Sequence, residues 1–157
     1  DSVIDAVAIK KCDKFDVITM FHVLEHLPDP VSVLRSLGDC LNDRGALIIE
    51  VPNADEAMLS LYKCKPFADF TYWSCHLYLF NNNTLKIVAE KAGFHVQFLQ
   101  QIQRYPMANH LKWLSQGEKG GHQDWEMLMD KTLDEEYGKK LAQLGIADTI
   151  FAKFVKD

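Results

Sequence analysis

The chain has 157 residues, of which 48% are hydrophobic and 25% are charged, and its formal net charge at pH 7 is -5. This length suits one domain with a sizeable core, and this composition excludes disordered and fibrous proteins. The acidic balance argues against a dedicated nucleic-acid binder, which usually presents a basic face. No apolar run reaches the roughly 18 residues that suggest a membrane span. We therefore expect a globular domain that binds neither nucleic acid nor membrane.

The cysteines indicate the compartment. They are widely scattered, they form no Cys-x-x-Cys pair, and no signal-peptide pattern opens the chain. Scattered cysteines of this kind are typical of reduced thiols rather than of a disulfide framework. We therefore predict a cytoplasmic protein whose thiols are Cys12, Cys40, Cys64 and Cys75.

The first third of the chain predicts a strand, a helix and a second strand. Residues 1–14 are ambiguous between a helix turn and a strand remnant. Phe15–Phe21 is a short, mostly apolar run, long enough for a strand that is buried on both faces. Asp29 can then cap a helix that begins at Pro30, in which apolar residues recur at helical spacing. Ala46–Val51 predicts a second buried strand.

The middle of the chain predicts a short helix and an aromatic loop. Asn53 and Glu56 have the spacing of a capping box, which indicates a helix that runs through Tyr62. Residues 63–75 are aromatic and irregular, which is typical of a loop, and residues 76–80 predict a short strand or extended segment.

The remainder predicts alternating helices and strands. Asn82 or Asn83 caps the clearest helix, and Gly93 closes it. Phe94–Phe98 alternates apolar and polar residues, which indicates a strand with one buried face. A glycine-punctuated loop and two short helices precede a final strand at Thr149–Val155. This order predicts an α/β fold with a largely parallel sheet, and it leaves open whether the last two strands are neighbours.

The segment Phe15–Pro30 (Phe-Asp-Val-Ile-Thr-Met-Phe-His-Val-Leu-Glu-His-Leu-Pro-Asp-Pro) resembles part of a known family. It is similar to the fourth strand and following turn of class I S-adenosylmethionine-dependent methyltransferases, especially the branch that modifies small molecules, quinones and sugars. Further pieces of that family's pattern follow in order, and they are Leu41–Pro52, His76–Phe80, Thr84–Leu85 and Ala92–Phe94. The resemblance covers residues 15–98.

The resemblance implies a partial Rossmann-like α/β fold, with strands four to seven of the family's sheet and flanking helices. Residues 1–157 then form a single domain that corresponds to the C-terminal half of a methyltransferase domain. The implied cofactor is S-adenosylmethionine. The implied activity is methyl transfer to a small-molecule acceptor, with a sugar or polysaccharide precursor as one candidate.

One part of the family's pattern is missing from this sequence. A glycine-rich loop receives the family's cofactor at a helix start, and an acidic residue binds its ribose hydroxyls. This chain contains no Gly-x-Gly, and its first glycine is Gly38. We therefore expect a fragment, or alternatively a relative that serves as a non-catalytic binding or scaffold module. Without the family's first strand, Phe15–Phe21 would expose an apolar edge, which predicts self-association or cover by residues 1–14.

The resemblance also implies site residues. It places Phe21, His22 and Val23 against the reactive end of the cofactor, at the carboxyl end of a strand, where ligands bind in open α/β sheets. It places His26 near the substrate. Because a neutral imidazole is a suitable base for activating a methyl acceptor, we predict that His26 and His76 are catalytic.

Residues on the substrate side follow from aromatic and basic character. Tyr72 and Tyr78 belong to an aromatic cluster around His76 that would wall a dry pocket, or else fill a satellite core. Arg104 and Tyr105 follow a strand end, where they suit an anionic group such as a sugar nucleotide phosphate, or simple surface packing. We predict all four as substrate-binding residues.

A metal site is the remaining alternative. His22, Glu25 and His26 spell the His-x-x-Glu-His pattern of an inverted zinc-protease motif, but that motif needs a long helix and Pro28 follows almost at once. A zinc hydrolase is therefore a remote alternative. Some quinone-modifying relatives hold a divalent metal with acidic residues and a histidine in this turn, whereas here His22 replaces an acidic residue. We therefore predict no metal.

Overall fold

The computed structural model describes residues 14–72 and 75–156, which form an α/β fold with a four-stranded sheet. The strands are β1 (Phe15–Phe21), β2 (Leu41–Pro52), β3 (Phe94–Ile102) and β4 (Thr149–Lys156). The helices are α1 (Pro30–Asp39), α2 (Ala57–Ser60), α3 (Lys65–Thr71), α4 (Asn82–Lys91), α5 (Met107–Gln116), α6 (Gly121–Asp124) and α7 (Lys131–Leu144). Two 3-10 turns span Leu24–His26 and Glu126–Leu128.

The order of the strands is β1-β2-β4-β3, and only the pair β1–β2 is parallel. The prediction of a largely parallel sheet was therefore wrong in its pairing. The cause is β4, which is inserted antiparallel between β2 and β3. The connections between β1, β2 and β3 cross over the sheet through helices, so these three strands run in one direction. The connection from β3 to β4 begins and ends at the same edge of the sheet, so β4 runs in the opposite direction. The last two strands are neighbours.

The carboxyl ends of β1, β2 and β3 lie at one edge of the sheet. Pro52 at the end of β2 and Ile102 at the end of β3 both pair with Thr149, the first residue of β4. Phe21 at the end of β1 pairs with Glu50 of β2. The carboxyl ends of three strands therefore meet at one edge, which is where ligands bind in open α/β sheets.

The strand β1 is less buried than predicted. Phe15, Val17 and Phe21 are 44%, 55% and 50% exposed, and Met20 is its one fully buried residue. The prediction of burial on both faces was wrong because, among the described residues, β1 pairs with β2 alone. The predicted cover of this edge by residues 1–14 falls almost wholly outside the described residues, since only Lys14 belongs to them.

The main core lies between the sheet and the helices α1 and α4. Apolar residues of both helices, including Leu34 and Leu85, pack with Leu47, Ile49 and Phe154 of the sheet. Burial of this kind is the main stabilising term of folding. The sheet edge that carries the strand ends is thereby held by a rigid, close-packed layer.

Local capping fixes where the two core helices begin. The carboxylate of Asp29 accepts a hydrogen bond from the Ser32 amide at 3.0 Å, which confirms the predicted start of α1. The helix α4 begins one residue earlier than predicted. Asn81 is its cap, and it exchanges hydrogen bonds of 2.9 Å with Thr84 in a capping box.

The segment after β2 differs from its prediction. Asn53 does not cap a helix, because its buried amide donates to the Ala147 carbonyl at 2.7 Å and thereby ties β2 to the segment before β4. The helix α2 is shorter than predicted, and no side chain caps it. The predicted loop at 63–75 contains the helix α3, and the unpredicted helix α5 precedes the glycine-punctuated loop. Among the described residues, no helix is long and apolar enough to span a bilayer.

Candidate active site at the carboxyl edge of the sheet

A cavity of about 760 Å³ opens at this edge of the sheet. The helices α3 and α5 supply its aromatic wall, in which Trp113 contacts Phe67 edge-on at 5.2 Å and Phe70 at 5.5 Å between ring centroids. The ammonium of Lys119 lies 5.8 Å from the centre of the Phe70 ring. A volume and a wall of this kind suit a ring-sized organic molecule.

The turn after β1 forms one side of the cavity. His22 has a φ of 52°, in the left-handed region that a side chain rarely adopts. Its imidazole lies between two carboxylates, 3.4 Å from Glu25 and 2.9 Å from Glu50. The guanidinium of Arg104 contacts the same imidazole and pairs with Glu50 at 3.0 Å. The turn therefore presents a compact polar cluster at the carboxyl end of β1.

The predicted site residues divide into two groups. His22, His76, Arg104 and Tyr105 line the cavity together. The structure does not place the others in its lining, and they are Phe21, Val23, His26, Tyr72 and Tyr78.

The residues outside the lining lie on the edge strand, against the main core or at the surface. Phe21 ends the edge strand and is half-exposed, whereas Val23 packs against the main core. Tyr72 is 61% exposed. Tyr78 stacks on Phe80, and its hydroxyl donates to the Pro28 carbonyl at 3.0 Å, which indicates a packing role.

The structure brings the two predicted catalytic histidines together. The rings of His26 and His76 lie 5.0 Å apart between centroids, although they are far apart in sequence. Backbone amides of Leu77 and Tyr78 donate to the Glu25 carbonyl at 2.9 and 3.1 Å, and these bonds dock the 75–80 segment on the turn after β1.

Both histidines have one ring nitrogen engaged by the backbone. Nδ1 of His76 lies 2.9 Å from the Thr71 carbonyl, and Nδ1 of His26 contacts the Cys75 carbonyl. A carbonyl only accepts, so each Nδ1 donates. The nitrogen that remains to face a ligand is therefore Nε2 in both rings.

These side chains also fit a metal ion. One donor atom from each of His26, Cys75 and His76 can lie within 4.8 Å of the others. Next to them the fully buried carboxylate of Glu25 has no hydrogen-bond partner within residues 14–72 and 75–156, and its Oε1 lies 3.8 Å from Nε2 of His26. A ligating histidine commonly donates its second nitrogen to a backbone carbonyl, as both do here. The prediction of no metal rested on the pattern of the turn, to which Cys75 and His76 do not belong.

Sequence reasoning missed the polar floor of the cavity, which is built from Glu56, His110 and Asp148. All three are buried and line the cavity. Asp148 accepts hydrogen bonds of 3.0 Å from the amides of Arg104 and Tyr105. The sequence signal was weak, because Glu56 fitted a capping box and Asp148 stands directly before a strand.

Burial shifts the pKa values of two floor residues, Glu56 and His110. Burial and the negative charge of Asp148 raise the pKa of Glu56 to about 9. Burial lowers the pKa of His110 to about 4. Nδ1 of His110 bonds the Tyr137 hydroxyl at 2.8 Å, and the side-chain amide of Gln103 lies 3.3 Å from its Nε2. At neutral pH the floor therefore carries an uncharged imidazole and an uncharged carboxylic acid.

A bound S-adenosylmethionine fits these residues only in part. The turn Phe21–Val23 stands at the strand end that the resemblance implies for its reactive end. The chain contains no Gly-x-Gly, so it offers no glycine cradle of the kind that receives this cofactor. The described residues therefore match the expectation for this cofactor at the strand end, and not in a glycine loop.

Comparison with known proteins shows the family of the chain. A family model described as a methyltransferase domain matches residues 4–98. The chain is 29% identical over 106 residues to the ubiquinone biosynthesis O-methyltransferase of Aeromonas salmonicida (strain A449), which covers 64% of this chain and 44% of that protein. It is 42% identical over 45 residues to the protein of the same name from Glaesserella parasuis serovar 5 (strain SH0165), covering 29% and 19%. The chain thus spans less than half the length of these curated relatives.

Solved structures show the same fold. A SAM dependent methyltransferase from Archaeoglobus fulgidus aligns with a TM-score of 0.57 at 18% identity, over 97% of this chain and 65% of that one. The cyclopropane synthase MmaA2 from Mycobacterium tuberculosis aligns with a TM-score of 0.54 at 15% identity, over 94% and 57%. Because the family model covers more than half of the residues and the fold agrees, the chain belongs to the methyltransferase domain family, whose cofactor is S-adenosylmethionine.

Proposed function

We propose that this chain forms the acceptor side of an S-adenosylmethionine-dependent methyltransferase that modifies an oxygen of a small molecule. The observation that carries the proposal is the meeting of His22, His76 and Arg104 around one aromatic-walled cavity at the carboxyl edge of the sheet. The curated relatives are O-methyltransferases by name, which favours an oxygen acceptor. A sugar or polysaccharide precursor remains a candidate acceptor, with Arg104 available for an anionic group.

His76 is the residue best placed to activate an acceptor. Methyl transfer by direct displacement needs an acceptor oxygen that has lost its proton. His76 lines the cavity, and its Nδ1 is held by the Thr71 carbonyl, so its Nε2 is available to take that proton. His26 stands behind His76, outside the cavity lining, and is better placed to orient it than to touch the acceptor. The cofactor supplies the electrophilic methyl group when it is bound.

Calorimetric titration with S-adenosylhomocysteine tests the proposal. Because the chain offers no glycine cradle, we expect binding that is measurable but weaker than micromolar, and about tenfold weaker still after His22→Gln, because that change removes the contacts of His22 with Glu25 and Glu50. His95→Gln is the matched control, since His95 is exposed on β3 and lies outside the lining of the cavity. Absence of binding would favour the alternative, a non-catalytic binding or scaffold module.

Metal titration checks the cluster on the turn. We expect one equivalent of Zn²⁺ to bind through Glu25, His26, Cys75 and His76, because carboxylate, imidazole and thiolate donors together suit this ion. Co²⁺ should then show the absorbance of a thiolate–cobalt bond, which Cys75→Ser removes. A bound ion would neutralise the buried Glu25 and would occupy Nε2 of His76, so a metal at this cluster and the proposed base role of His76 exclude each other.

Two results would contradict a metal at this cluster. One is binding that His76→Ala leaves unchanged, and the other is an ion held equally well by the Cys75→Ser and wild-type chains. Binding accompanied by peptide hydrolysis would instead revive the zinc hydrolase alternative. The cytoplasmic location and self-association through β1 stay predictions, and sedimentation of the purified chain measures the second.

A further inference from the structure

The cavity floor holds a carboxyl group that the proposed methyl transfer does not use. Glu56 is only 4% exposed, and its Oε2 has no hydrogen-bond partner among the described residues. It stands directly before α2, yet its side chain does not cap that helix. Leaving a buried polar atom without a partner is costly, so such an atom indicates a ligand that completes it.

The neighbouring carboxyl group is fully satisfied. Asp148 accepts from the amides of Arg104 and Tyr105, and its Oδ2 also accepts from the Gln103 side chain at 2.8 Å. Burial raises the pKa of Asp148, but these hydrogen bonds oppose that effect. Glu56 has no comparable donors. The single negative charge of the pair therefore resides on Asp148, and the proton resides on Glu56.

The other charged groups around the floor do not take this proton. His110 on α5 is buried and neutral, and its ring nitrogens are engaged by Tyr137 and Gln103. The guanidinium of Arg104 is paired with Glu50. The remaining titratable groups of the lining stand on the turn after β1, after β3 and on the segments around α3 and α6, and they are His22, His76, Tyr105, Lys119, His122 and Asp124.

We propose that Glu56 is a specificity-determining hydrogen-bond donor, and that the cavity takes a planar ring whose uncharged oxygen, a carbonyl, ether or hydroxyl, accepts from its carboxyl group. The aromatic residues of α3 and α5 contact the ring face. An ammonium group would require Glu56 to ionise beside Asp148, and a carboxylate would face the charge of Asp148. This inference rests on the proposed function, since it describes the acceptor of the same site.

Binding of simple ring compounds tests the proposal without any cofactor. Acetophenone is the probe with an accepting carbonyl, and ethylbenzene is the matched ring without one. By NMR titration of the full chain, we expect acetophenone to bind about tenfold more tightly than ethylbenzene, the magnitude of one net hydrogen bond. Glu56→Gln keeps a donor and should retain this preference, whereas Glu56→Met should abolish it.

The pH dependence gives a second readout, which is measured first on the wild-type chain. The preference for acetophenone in the wild-type chain should decline above about pH 9, where Glu56 loses its proton, and it should persist in Glu56→Gln. An infrared band of a protonated carboxylic acid should be present in the wild-type chain at neutral pH and absent from Glu56→Gln.

Three outcomes would overturn the proposal. They are tighter binding of benzylammonium than of acetophenone, an unchanged preference in a folded Glu56→Met variant, and no ring binding at all. None of them depends on S-adenosylhomocysteine. Failure of the cofactor titration alone would therefore count against methyl transfer and leave the role of Glu56 standing.

Discussion

Replacing Glu56 by glutamine is expected to abolish a loss of stability that the wild-type chain suffers as the pH rises from about 5 to about 9. In the folded chain the pKa of Glu56 is raised from 4.5 to about 9, chiefly by burial and further by the charge of Asp148. Between these values the unfolded chain has released the proton and the folded chain has kept it. Stability therefore falls with rising pH across this window, and the fall stops once folded Glu56 also ionises.

The expected magnitude is large for one residue. Each pH unit within the window lowers the free energy of unfolding by about 1.4 kcal/mol. Urea unfolding at pH 5 and pH 8 should thus show the Glu56→Gln variant gaining about 4 kcal/mol relative to the wild-type chain. Asp148 is present in both chains, so its own contribution to the pH dependence of the unfolding free energy largely cancels in this comparison.

Glu90→Gln is the matched control for this experiment. Glu90 lies on the exposed face of α4, where it pairs with Lys86 at 3.8 Å. Because exposed ion pairs contribute little to stability, its variant should follow the wild-type curve with pH. Parallel curves for the wild-type chain and Glu56→Gln would show that Glu56 is ionised in the folded state, against the prediction.

Replacing Gly121 by alanine is expected to destabilise the chain by about 3 kcal/mol. A Cβ at this position would lie 2.1 Å from the carbonyl oxygen of Ala108 and 2.7 Å from the Cα of Asn109. These are backbone atoms of α5, so they cannot rotate away, and the start of α6 must move outward. The amide of Gly121 would then also leave the side chain of Asn109, which now accepts from it at 3.2 Å.

Gly93→Ala is the control for Gly121→Ala, because it shows the cost of replacing a glycine where the added Cβ meets no neighbouring atom. Gly93 has a φ of 87° and nothing within 4 Å of an added Cβ, so alanine there costs only the left-handed conformation, about 1 kcal/mol. Thermal or urea unfolding measures both variants. Because α5 and α6 border the cavity, Gly121→Ala should also weaken acetophenone binding, and Gly93→Ala should not. Equal losses of stability in the two variants would contradict the crowding argument.

The sequence predicted the elements of the core well. The strand at Phe15–Phe21, the start of α1 at Pro30 and the strand at Phe94 all depend on neighbours in the chain, through hydrophobic period and capping. The region around Asn53 and Glu56 was mistaken for a capping box. Its spacing was right, but Asn53 had a stronger partner in the distant Ala147 carbonyl, which no local pattern reveals.

The sequence predicted only part of the candidate site, because some of its contacts join residues that are distant in the chain. The resemblance of the turn after β1 singled out His22 and His26, and the aromatic context singled out His76. The sequence could not show that His26 and His76 lie next to each other, because that contact depends on the docking of the 75–80 segment against the Glu25 carbonyl. The same docking places Cys75 beside them.

The sequence by itself determined the alternation of strands and helices, because hydrophobic period and capping are local. It also carried the family resemblance, which predicts the strand end that would face a ligand. Only the tertiary structure decided the reversed direction of β4, how far each residue of β1 is exposed and the ionisation of the cavity floor. Strand direction follows from where a long connection returns, and exposure follows from which neighbours a strand has. The protonation of Glu56 follows from burial beside Asp148, a residue that is distant in the chain and adjacent in the fold.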